Sequence, residues 1–219
     1  MAYRDFSWED LRRTFGITSR VERLFGEIRP VAPSSYLSSA LELAKRVPLR
    51  NEKAKSEAIV YPILLDAIQR NDFLFTIYSG ENLNIDRARG LAGEIDFFLA
   101  KRTSEYGINF PIVAIVEAKK NDFDLGIPQC AAQMLGGMAL NELESHHLPL
   151  YGCVTTAEEW RFMRLDNTHF TLDEKRYRLD QLEELLGVIQ HILDFYRQLF
   201  TASGQLLEEP LPAYKALGV

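Results

Sequence analysis

The segment Phe110-Pro111-Ile112-Val113-Ala114-Ile115-Val116-Glu117-Ala118-Lys119-Lys120 reads as an apolar strand that stops at an acid and a base. Such a near-continuous apolar run fits a strand covered on both faces. Alternate residues of a strand share a face, so Glu117 and Lys119 point the same way, one strand repeat apart. The acid-x-lysine pattern alone says little, because Asp173-Glu174-Lys175 has it too. Asp173, however, lies in a polar, turn-like stretch, whereas Glu117 ends an apolar run.

The preceding strand-like segment, Gly93-Glu94-Ile95-Asp96-Phe97-Phe98-Leu99, gives the pattern weight. Period two puts Ile95, Phe97 and Leu99 on one face and leaves Asp96 on the other. If the two strands form an antiparallel pair joined through Arg102 to Asn109, Asp96 lies beside Glu117. Two carboxylates so placed repel unless a cation sits between them, and a hard divalent metal with oxygen ligands suits them better than zinc.

A helical pattern from Glu52 to Arg70 precedes these strands. Glu57, Val60, Tyr61, Leu64 and Ile68 recur at helical spacing, which sets Glu57 on the sheet-facing stripe, and Pro62 is expected to bend the helix. An acid on an apolar stripe is costly unless it is paired, so Glu57 is expected to neutralise Lys119, to reach a metal through water, or to turn to solvent at the helix end. On the helix that follows Lys120, expected from about Gly126 to Glu144, Gln129 and Gln133 are four apart and share a face. Gly136-Gly137 in that helix invites close packing.

Working outward, Ser7 has N-cap chemistry and Phe15-Gly16 a helix stop. A helix is expected over about Tyr36 to Arg46, a strand from Phe73 ending at Ser79-Gly80, and strands over Leu148–Thr156, Trp160–Leu165 and near Thr168–Leu172. An apolar helical stripe runs from Asp180 to Phe200. This order predicts an α/β fold with a mixed central sheet flanked by helices. Three regions are expected: a helical extension over 1–50, a core over 51–178, and a C-terminal helix and tail over 179–219.

A chain of 219 residues that is 47% hydrophobic can bury a sizeable core. Its formal net charge of -6 gives no global attraction for nucleic acid, so a polyanion must be met by local cations or through metal. Two cysteines, Cys130 and Cys153, are too few for a disulfide framework, which fits a cytoplasmic location. No membrane span or secretory leader is read. His146-His147 lacks the further ligands of a zinc site.

Together these residues resemble the PD-(D/E)xK nuclease superfamily, whose signature is an acid on the second core strand and an acid-x-lysine on the third. The likeness covers about Glu57 to Thr156, and a narrower one points to the nuclease domains of type I restriction subunits and related bacterial proteins. It implies a restriction-endonuclease-like αβββαβ core with Asp96, Glu117, Lys119, Glu57 and Gln133 as catalytic residues. It further implies that Asp96, Glu117 and the Ala118 carbonyl hold Mg²⁺, with Mn²⁺ able to substitute, and that Gln129, Arg87, Arg89 and Lys120 contact substrate. The implied partner is nucleic acid, DNA in the first instance, and a homodimer would suit double-strand cutting. The competing expectation is a non-catalytic nucleic-acid- or protein-binding module of the same fold.

Overall fold

A computed structural model describes residues 2–119 and 123–202. All seven residues of the apolar segment that became β4 (Ile112–Ala118) are buried, because helices cover both faces of the sheet around it.

In chain order, a 3-10 turn (Tyr3–Asp5) leads into α1 (Trp8–Phe15) and β1 (Thr18–Glu22), followed by α2 (Ser35–Ala44). A continuous helical run then consists of α3 (Glu52–Lys55), a π-helical turn (Ser56–Val60) and α4 (Tyr61–Arg70). After it come β2 (Phe75–Asp86), β3 (Leu91–Lys101), β4, α5 (Phe123–Leu143), β5 (Leu150–Thr155), β6 (Glu159–Asp166), β7 (His169–Asp173), β8 (Tyr177–Arg178) and α6 (Leu182–Ala202).

The strands form one mixed sheet of eight in the order β1-β7-β6-β5-β4-β3-β2, with β8 added to β6. The β4–β5 and β1–β7 pairs are parallel and the others antiparallel. Helix α5 is the crossover that the parallel β4–β5 pair requires. Helices α2, α4 and α6 bury their apolar sides on one face of the sheet. Helix α5 and the N-terminal segment cover the other face.

Ser7 caps α1 by accepting from the Asp10 N–H, and Gly16 ends it in the left-handed region at φ 67°. Residues 1–50 contribute more than helices. Strand β1 pairs with β7, and Tyr3, Phe6, Leu11 and Ile17 are buried in the core beneath α5. Strand β2 does not end at Ser79-Gly80 but runs to Asp86, because pairing with β3 continues to Leu91. Past the end of β4 this ribbon is free to coil. Phe97 and Leu99 therefore join one core as expected, while Ile95 belongs to the other. Helix α5 begins at Phe123, three residues ahead of Gly126. Among the described residues, no helix is long and apolar enough to cross a membrane.

Candidate active site

Strands β3 and β4 pair with Phe97 opposite Val116, and one further step in that register sets Asp96 opposite Glu117 on the face that carries α5. Asp96 Oδ2 accepts the Ala118 N–H at 2.8 Å. The N–H and carbonyl of one strand residue leave on the same side, so the Ala118 carbonyl is directed toward Asp96 as well. Beyond the end of β4, the Lys119 N–H still donates to the Thr155 carbonyl at 2.7 Å, which holds Lys119 in line with the strand.

Glu117 is 2% exposed and both its oxygens are occupied. Lys119 Nζ donates to Oε1 at 2.6 Å and Gln133 Nε2 to Oε2 at 2.6 Å. Lys119 Nζ also donates to Gln129 Oε1 at 2.8 Å. The two glutamines that share a face of α5 thus converge on the acid and the lysine. Gln133 Oε1 is buried without a partner among the described residues. The approach of α5 depends on Gly126, where a Cβ would meet Val154 Cγ1 at 2.6 Å and Lys119 Cγ at 3.0 Å.

Burial pushes the Glu117 carboxyl up to about 7, and the neighbouring Asp96 adds to the shift against the pull of Lys119 and Gln133. Burial also raises Asp96, with Glu52 and Glu94 adding, against the Ala118 N–H and Lys119. For Lys119, burial pulls the pKa down, but Glu117 outweighs it with help from Asp96 and Glu52, so the net shift is upward. Lys119 is therefore a cation in this state and not a ready proton acceptor.

Glu57 is not part of this group. Its side chain is 66% exposed and lies 3.9 Å from Lys53. The reason is the π-helical turn at Ser56–Val60, which ends with the Tyr61 N–H reaching back five residues to the Ser56 carbonyl, ahead of Pro62. The wider turn rotates Glu57 and Tyr61 toward solvent and keeps Ser56 inside. Glu52, which the sequence reading missed, is the helix acid that acts electrostatically on both Asp96 and Lys119. The signal was present: Glu52, Ser56, Val60 and Leu64 form one ridge at spacing four.

Arg89 sits over the Phe15 ring at 4.6 Å and within 4.0 Å of Asp86, so it ties the β2–β3 turn to α1. Arg87 is exposed in the same turn. Among the described residues, the contacts of Arg89 run to Phe15, Thr14 and Asp86 and not to the site. Lys120 lies outside the described residues. The competing acid, Asp173, ends β7 and is fully buried, against expectation. It accepts from Leu24 N–H, Lys175 N–H and the Tyr177 hydroxyl, the last at 3.1 Å, and is a structural knot. Lys175 points to Glu184 instead.

A cleft of about 690 Å³ includes Lys119, Gln129 and Glu52. A larger one, about 930 Å³, is lined by Phe123 and shares no lining residue with it. There Lys45, Lys55, Arg176 and Arg178 are paired with Glu42, Glu158, Glu159 and Asp180. Among the described residues, no group of three or more His, Cys, Asp and Glu side chains is gathered for a metal. The donor set on offer is two carboxylates and a main-chain carbonyl. No family model matches the chain, and neither curated proteins nor solved structures give a significant match.

Proposed function

We propose that the chain is a Mg²⁺-dependent nuclease of the PD-(D/E)xK type that hydrolyses phosphodiester bonds, with DNA as its substrate. The observation that carries this reading is the meeting of Asp96 and Glu117 on adjacent strands with Lys119 on the same carboxylate. The fit to a hard cation rests on the donors themselves. Burial raises both carboxyls, Asp96 adds to the shift of Glu117, and the Ala118 carbonyl leaves its strand on the Asp96 side. A divalent ion with oxygen ligands would remove that repulsion.

Asp96, Glu117 and the Ala118 carbonyl would hold the ion. When bound, Mg²⁺ supplies an acidified water and neutralises charge that builds on the phosphoryl oxygens. Gln133 holds the Glu117 carboxylate in place. Lys119, kept charged by its neighbours, turns from Glu117 to the substrate phosphate or the attacking water, with Gln129 as its second support. Glu52 adds negative charge at the helix start and lies where it favours a cation.

The test is cleavage of plasmid and single-stranded DNA by the purified chain with Mg²⁺ or Mn²⁺, beside Asp96→Ala and Lys119→Met. Cutting that needs the metal and disappears in both variants supports the reading. Cutting that persists unchanged in Asp96→Ala overturns it.

A further inference from the structure

The N-terminal segment forms one wall of the cleft that contains the proposed catalytic lysine. Arg4, Ser7 and Trp8 stand on one side and Glu52, Lys119 and Gln129 on the other. The wall is firmly seated. Tyr3 is 1% exposed and fills a slot between two glycines: a Cβ on Gly93 would meet its ring at 3.3 Å, and one on Gly136 would collide with its hydroxyl. Phe6 and Leu11 are buried beside it, and Ser7 and Asp10 cap each other's ends of the first turn of α1.

Arg4 projects from this wall with its side chain 82% exposed. Its ion pair with Asp5, at 3.8 Å, is between two exposed groups, and such a pair holds a side chain weakly. Asp5 is meanwhile engaged by the Ala2 N–H at 2.7 Å. A guanidinium offers a planar fork that matches a phosphate. Arg4 lines the same cleft as Lys119, which places it to meet an anion there.

We propose that Arg4 is a substrate-contacting residue that grips a backbone phosphate flanking the scissile bond, so that the N-terminal segment completes the site. This rests on the nuclease reading. It makes the segment before α2 part of the substrate-binding surface and accounts for an anchor as elaborate as the Tyr3 slot.

The experiment measures binding of fluorescein-labelled single-stranded DNA to the full chain in Ca²⁺ across a salt series, with cleavage in Mg²⁺ measured alongside. Arg4→Gln should raise KM with little change in kcat, and should reduce the slope of log Kd against log salt by about 0.7, as loss of one phosphate contact to a single strand requires. Arg4→Lys should keep the slope. Arg13→Gln, which removes a charge paired with Glu9 elsewhere on α1, should also leave it intact. An unchanged slope in Arg4→Gln, or an equal fall in Arg13→Gln, overturns the role of Arg4 while a cutting wild type leaves the nuclease reading in place. A wild type that neither binds nor cuts overturns both.

Discussion

Asp96 accepts the backbone N–H of Ala118 at 2.8 Å, and this one bond fixes a carboxylate from β3 beside the Glu117 carboxylate of β4. Two acids from neighbouring strands are thereby held where burial raises both their pKa values, with Asp96 adding to the shift of Glu117 and Glu52 and Glu94 to that of Asp96. Lys119 offsets only part of that cost, and the remainder is held as electrostatic strain.

That strain has a pH signature. The Glu117 carboxyl sits at about 7 in the folded chain against 4.5 for a free one. The folded state then binds the extra proton between those values, so stability is full below about 4.5 and falls as pH rises to 7. Asp96 acts in the same direction, whereas the upward shift of Lys119 matters only above its ordinary range. Urea unfolding in EDTA should show a loss between pH 5 and pH 8 on the order of 3 kcal/mol. Glu117→Gln should flatten the profile, and so should Mg²⁺ in the wild type. A wild-type profile identical to that of Glu117→Gln would contradict the assignment.

The two helix acids should separate cleanly. Glu52→Gln is expected to cut activity or raise the Mg²⁺ requirement by about 10- to 100-fold, the usual scale for groups that support a metal site from behind. Glu57→Gln, with its side chain in solvent, should behave as wild type in the same Mg²⁺ titration. The reverse ranking would place Glu57, and not Glu52, beside the metal site.

Gly136 gives a packing test of the N-terminal wall. Alanine in place of a helix-interior glycine ordinarily stabilises by about 1 kcal/mol. Here the new Cβ collides with the Tyr3 hydroxyl, so Gly136→Ala should destabilise in thermal unfolding. Tyr3→Phe removes the colliding atom, and the double variant should recover most of the loss, a non-additive cycle. Strict additivity would mean that Tyr3 does not occupy the slot.

The short-range features of this fold were legible in the sequence. Asp96 and Glu117 could be paired because period-two alternation fixes which side of a strand each residue takes. Gln129 and Gln133 could be paired because spacing four fixes a helix face. The α1 caps at Ser7 and Gly16 were likewise local. Glu57 was set on the stripe ahead of Glu52 because a uniform helical repeat cannot show a π-helical turn, and one wider turn moves Glu57 out of it. Strand β1 was unreadable because Thr18–Glu22 is exposed along most of its length and depends on β7, about 150 residues away in sequence, for its pairing. The burial of Asp173 was hidden for the same reason, since Leu24 and Tyr177 come to it from separate segments.

The central claim is that Asp96 and Glu117 share a divalent cation, and its most direct test is a crystal structure of the chain soaked in Mn²⁺ with anomalous diffraction recorded. The account predicts one Mn²⁺ between the two carboxylates, about 2.1 Å from an oxygen of each and from the Ala118 carbonyl, with Lys119 Nζ displaced from Glu117. A Glu117 carboxylate still held by Lys119, with no anomalous density beside Asp96, would contradict it.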